Sequence, residues 1–356
     1  TNLGATDVYN TAVGFEAGLS VTTGTDNTLI GALAGQDVTT GQFNVFVGTD
    51  AGEQVTVGSS NVAIGRGALE QDTKGSKTVA IGQGTLNAQN FTSATDSLNT
   101  AVGFGAGVAV TTGTLNTFVG GQTGDGMTTA TGNTAIGAVA LSAACSNDNT
   151  AVGNYAIAQT TGEANTAIGQ VAGFDITSGG NNIAIGKDAL RSGSPGGTQT
   201  TGSNKIGLGD DNISSFNCQV ALTVASDERD KTDFVDLDLG LDFVKALEPV
   251  TYYWDKRSKY GDKNSDDFDL DNLTPDGTHK EDWMDVGFKA QAVQAIEDAA
   301  GYTASAKKNL TVASSDDGKQ LGLRYEKFIP ILVKAIQDQD AIIQSLTARI
   351  AALESN

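Results

Sequence analysis

A short phrase, Asn-Thr-Ala-(Val/Ile)-Gly followed by small residues, recurs twelve times between Asn10 and Lys205. It reads NTAVGFEAG from Asn10, NTLIGALAG from Asn27, NVFVGTDAG from Asn44 and NVAIGRGAL from Asn61. Further copies start at Lys77, Asn99, Asn116, Asn133, Asn149, Asn165 and Asn182, and a degenerate KIGLG starts at Lys205. Successive starts lie 16 or 17 residues apart, except for 22 between Lys77 and Asn99 and 23 before Lys205, so two units carry loop insertions. Helix-pair repeats need roughly 33 residues or more, whereas this period fits one coil of a β-solenoid or β-roll.

Each copy holds one strand-length run. Alternation predicts that Val13, Ile30, Val47, Ile64, Ile81 and Val102 stack in one inward row, with Thr100, Thr117, Thr134 and Thr150 on a different row. Clusters such as Thr22-Thr23-Gly24 and Thr111-Thr112-Gly113 supply turn chemistry, because glycine takes positive φ freely. The Asn heading each copy is placed to bond its own backbone or to form a ladder with the Asn one coil away. At a rise of about 4.8 Å per coil, the rod is about 55 Å long. Its interior of Val, Ile and Ala is thin, so three chains about a common axis are expected to cover the second face.

Composition limits the function classes. Glycine is abundant, at 45 of 356 residues, as in a secreted or surface fibre, and the net charge is −20. Acids outnumber bases 16 to 6 up to Ala225 and 26 to 16 beyond it, so the acidity runs through both parts. That charge argues against nucleic acid and anionic membrane as partners. There is no apolar run of the ~18 residues needed for membrane insertion, and no signal-peptide pattern. The chain opens on Thr1 without Met, as a processed or partial product does. Cys145 and Cys218 are too far apart on a rod to pair and read as small core residues. His279 is the only histidine, so neither a zinc cluster nor a Ser-His-Asp triad is available. The acidic run Asp262, Asp266, Asp267, Asp269, Asp271 and Asp276 lacks the Gly and Glu of a calcium loop and reads as a solvated insertion. Trp254 and Trp283 read as core residues, and no cofactor or metal is expected.

From Ser226 the texture changes to charged, helix-forming and aromatic residues, beginning SDERDKTDFVDLDLGLDFVKALEPVTYYWD. Four pieces stand out in order: Ser226 to Lys231, Leu239-Gly240-Leu241-Asp242-Phe243 through Leu247 to Tyr252, Val286 to Gln291, and Tyr325 with the helix after it. Together they resemble the intramolecular chaperone domain at the C-terminus of phage endosialidases, tail spikes and tail fibres, the peptidase S74 family. Two positions depart from that pattern: Asp230, where an apolar residue is common, and Ala292, where an acidic one is usual. The repeats, over residues 10–209, resemble the head β-roll of trimeric surface adhesins and some phage fibre shafts.

The resemblance implies a domain that trimerises nascent chains, helps the shaft fold and then cuts itself off between Ala225 and Ser226. The chemistry is sound by itself. A serine hydroxyl becomes a nucleophile when a base takes its proton, and a lysine in dry or cationic surroundings can be that base. Ser226 would attack the Ala225 carbonyl with Lys231 as base, and the acyl intermediate would then be hydrolysed. Asp227 and Arg229 would position the turn. By spacing alone, Ser226 and Asp227 read as a helix cap rather than a catalytic site, and only the wider resemblance reverses that.

The C-terminal helix carries a 3,4 spacing through Ile329, Leu332, Ile336, Gln339, Ile343, Leu346, Ile350 and Leu353, a coiled-coil seam with one polar layer. Ile at a with Leu at d favours two strands, against the three that the resemblance implies. The expected fold is therefore mainly β. A parallel β-roll of about twelve coils in a homotrimer spans 1–225, an α+β chaperone domain spans 226–325, and a long coiled-coil helix spans 326–356. The expected function is a tailed-phage fibre or spike in the virion tail. It would bind a host-surface receptor, glycan or protein, and join other tail proteins through its N-terminal end. A cellular adhesin or filament subunit and a glycan-depolymerising spike are the alternatives, the last needing paired carboxylates and sugar-stacking aromatics. The longer units, Gln83 to Leu98 and Arg191 to Gly202, are expected as exposed contact loops.

Overall fold

The structure is a computed structural model that describes residues 8–194, 196–263, 265 and 267–355. The chain forms two compact units, Thr1–Asn212 and Ile213–Asn356.

In the first unit, three residues of each copy form a strand, from Thr11–Val13 to Ile206–Leu208, and the twelve strands pair in one sheet in chain order. Pairing is parallel and in register with the repeat: Thr100, Ala101 and Val102 face Thr117, Phe118 and Val119. The period seen in the sequence is thus one coil of a parallel β-solenoid.

The inward row differs from the expected one. The strand centres from Leu29 to Ala184, among them Phe46, Ala101 and Phe118, are buried, whereas Val13 and Ile30 are 59% and 39% exposed. Positions two apart share a face, so the Thr row and the Val/Ile row lie together on the outer side. Coil volume explains the choice. Where the strand centre is large, the residue six further on is glycine, as in Leu29 with Gly35, Phe46 with Gly52 and Phe118 with Gly124. A Cβ at Gly52 or Gly124 would come within 2.6 Å of the phenylalanine ring. Where the centre is alanine, the same position is often large and buried, as in Ala63 with Leu69, Ala80 with Leu86 and Ala135 with Leu141. Each coil keeps its core filled by trading size between two positions.

Backbone stacking sets the glycine that closes each strand. At Gly103, φ is +142° and a Cβ would stand 2.2 Å from the Gly120 carbonyl oxygen, so no side chain fits. The asparagines form the expected ladder. The Asn133 N–H donates to Asn116 Oδ1 at 3.0 Å, and Asn116 Nδ2 donates to the Ala130 carbonyl at 2.9 Å. The ladder breaks where Thr78 replaces Asn. There the buried Gln89 accepts from Asn99 Nδ2 at 2.8 Å and donates to Asp72 Oδ2 at 2.7 Å and to Thr78 Oγ1 at 3.1 Å.

The two longer units are not simply exposed loops. Gln89 and Ser97 are fully buried, and Phe91 nearly so. Arg191 is buried too, 2.9 Å from Asp188 and 3.6 Å from Asp175, with its guanidinium over the Phe174 ring. Leu190 packs against Gly207, whose Cβ would meet it at 2.3 Å. The last coil closes the apolar core with its own insertion.

In the second unit, α1 (Leu241–Ala246), α2 (Ala290–Ala299) and α3 (Phe328–Glu354) accompany two small antiparallel sheets. Val250–Tyr253 pairs with Met284–Gly287, and Val312–Ser314 pairs with Leu321–Leu323. Leu239, Phe243, Val293, Val312, Phe328 and Ile331 form the core. Buried Glu297 accepts from the Thr311 N–H at 2.6 Å and tethers that sheet to α2. Trp254 and Trp283 are 46% and 77% exposed, not core residues, because they flank the strands whose outer face one chain leaves open. Both cysteines are free. Cys145 is buried, which pushes its thiol up to about 12. Cys218 is exposed, against expectation, because it lies in an extended segment that packs on nothing.

Candidate autoproteolytic site

The signature residues sit on a single turn. Asp227 caps a 3-10 helix, Glu228–Asp230, by accepting from the Arg229 N–H at 2.9 Å. The Arg229 guanidinium grips the same carboxylate through Nε at 3.0 Å and Nη2 at 2.7 Å. This pairing holds the Asp227 carboxyl below its ordinary range and raises the guanidinium. The turn reverses the chain, and Lys231 ends it with its N–H on the Glu228 carbonyl at 3.1 Å. Lys231 Nζ thereby reaches Ser226 Oγ at 2.6 Å and the Ser226 carbonyl oxygen at 3.2 Å. The helix cap of the sequence reading falls to Asp227 alone, and the serine hydroxyl faces the lysine.

That distance suits proton transfer from hydroxyl to amine. The surroundings are wet, however: every residue from Asn212 to Asp236, including Ala225, Ser226 and Lys231, is exposed in the single chain. A lysine acts as a base in dry or cationic surroundings, and one chain supplies none here.

The other pieces of the sequence pattern meet elsewhere in the second unit. Val250 faces Gly287 across the antiparallel pair, and Tyr252 faces Asp285. Tyr325 Oη lies where a Cβ on Gly287 would be 2.4 Å away. The Tyr325 ring stacks with Phe288 and packs on Phe328 at the start of α3. Val250, Tyr252, Trp254, Phe288, Gln291 and Tyr325 line a cleft of about 540 Å³. Residues 226–302 match the peptidase S74 family, chaperone of endosialidase. The match begins at Ser226, and the chaperone segment so defined holds the turn, α1, the Val250–Tyr253 pair and α2. No curated protein and no solved structure matches the chain.

Helix α3 lies beyond the matched residues and has two apolar stripes. Phe328, Ile331 and Ala335 face the core. The 3,4 seam faces out, from Leu332 at 45% to Leu353 at 76% exposure, with Gln339 in its middle. Among the described residues no group of three or more His, Cys, Asp or Glu is placed to hold a metal, and Asp266 of the acidic run lies outside them. Asp269 is instead engaged by Lys319 at 2.6 Å, which lowers its carboxyl's affinity for protons. Among the described residues no helix is long and apolar enough to cross a membrane.

Proposed function

We propose that the chain is the homotrimeric fibre or spike of a tailed phage. Its β-solenoid attaches to a host-surface glycan or protein, and its C-terminal chaperone segment assembles the three chains and then cuts itself off. A solenoid followed by a chaperone of endosialidase segment is a tail-fibre-like or spike-like organisation, and the family match starting at Ser226 carries the reading. The outward Val/Ile row along the sheet and the outward seam of α3 support self-association, because contiguous exposed apolar surface of this kind marks an interface. The solenoid's N-terminal end would join other tail proteins. The net charge of −20 speaks against nucleic acid.

In this reading the domain boundary falls between Ala225 and Ser226. Ser226 Oγ attacks the Ala225 carbonyl carbon while Lys231 takes the hydroxyl proton; the amide nitrogen leaves with that proton, and water hydrolyses the resulting ester. Neighbouring chains must supply the dry surroundings, so cutting follows assembly and occurs once per chain. Folding parallel coils is slow because non-local pairing precedes its reward, and a trimeric clamp sets register first. Removing the clamp leaves the shaft kinetically held.

The exposed Ser226 and Lys231 favour one second reading, a cellular adhesin or filament subunit that keeps its trimerising tip uncut. Intact mass under denaturing conditions, for wild type beside Ser226→Ala and Lys231→Ala, with native sizing in parallel, separates them. Cleavage at Ala225–Ser226 in wild type and in neither variant is the expected outcome. An uncut trimer supports the second reading, and an uncut monomer overturns both.

A further inference from the structure

The segment joining the two units has a pattern of its own. Phe216, Cys218, Val220, Leu222 and Val224 alternate with Asn217, Gln219, Ala221 and Thr223, the period of a strand with one apolar face. It forms no strand in the single chain. Phe216 is 66% exposed and Val220, Leu222 and Val224 are 74–78% exposed, with every backbone pairing group of the run unengaged by secondary structure. A strand-competent apolar run with an open edge is a template for pairing with another chain.

Charge identifies the occupant. No charged residue occurs from Asn212 to Ser226, while Asp211 and Asp227 bracket the run. Identical chains in register bring like charges to the same height, so a chain of net charge −20 meets its copies most easily where charge is absent. The alternating run also starts eight residues beyond Leu208, where the outward aliphatic row of the solenoid ends.

We infer that residues 216–224 associate with the same segment of two other copies, their even-numbered side chains packed about a common axis and Cys218 of all three chains meeting there. This inference rests on the homotrimer reading. It places a second lock between shaft and chaperone segment, one that stays on the shaft after the Ala225–Ser226 bond is cut.

Cys218 is its own probe, since the buried Cys145 thiol, pushed up to about 12, stays inert. The test uses the full chain carrying Ser226→Ala, oxidised with copper phenanthroline at low protein concentration, then denatured without reductant. Three converging thiols make one disulfide per trimer, so about two thirds of the chains should run as covalent dimer and the rest as monomer. A short bismaleimide gives the same partition where sulfur geometry disfavours a direct bond, and Cys218→Ser abolishes it. A native trimer that neither reagent links overturns the inference and leaves the trimer reading standing. A native monomer overturns both.

Discussion

Asp72 is the residue that the repeat had to accommodate when it lost an asparagine. Thr78 breaks the ladder, and Gln89, one coil beyond Asp72, bridges the gap from a fully buried position. Burial raises the Asp72 carboxyl despite its bonds from Gln89 and the Gly75 N–H. A folded pKa above the unfolded one gives stability that is fully present below the unfolded value, about 3.9, and is lost as pH rises through the folded value. Asp72→Asn has no such term. The melting temperature of the variant relative to wild type should therefore fall as pH is lowered from 7 toward 4; a constant difference across that range would show that the carboxylate carries no burial penalty. The missing asparagine is legible in the sequence as KTVAIG beside NVAIG. Its remedy is not, because Asp72 and Gln89 become neighbours only once the coil period stacks them.

At the scale of the coil, the exchange of volume between strand centre and the residue six positions on has a direct test. Leu141→Gly should open a cavity worth about 2–5 kcal/mol, and Ala135→Leu should overpack by about 1–3 kcal/mol. Made together, they turn the Asn133 coil into a copy of the Asn27 coil, Leu29 with Gly35, and should recover most of the loss; Gly also suits Leu141, whose φ is +54°. Thermal melts of the three variants give the coupling, and additive losses would sink the exchange. The strands themselves were legible from period and alternation, but not which side faces in. Alternation of small with β-branched residues points Val and Ile inward, whereas closure of a 16- or 17-residue coil admits mainly Ala at the centre. The aliphatic row is therefore left outside, where the proposed homotrimer would cover it. The Ser226 and Lys231 pair was legible as a motif, yet its 2.6 Å approach depends on the 3-10 turn capped by Asp227.

For the whole molecule, the register between coils is carried by bonds that recur at equivalent positions: the backbone N–H of each ladder asparagine on the side-chain oxygen of the one a coil before, and strand on strand. Residues 133–148 make one complete coil, bounded by Gly132 and Asp148, both at positive φ. Their removal joins Gly132 to Asn149 and presents the Asn149 N–H to Asn116 Oδ1 in place of that of Asn133. The shortened chain should fold, keep its oligomeric state and melt within a few degrees of wild type by circular dichroism. Removal of residues 133–140, half a coil, should prevent folding; equal tolerance of both would show that the ladders do not set register. Length in such a shaft is therefore a counted quantity. Unequal exchange between repeats lengthens or shortens the solenoid by about 4.8 Å at a time, with no intermediate value that the backbone can hold, so a lineage can change its length without altering a single contact chemistry.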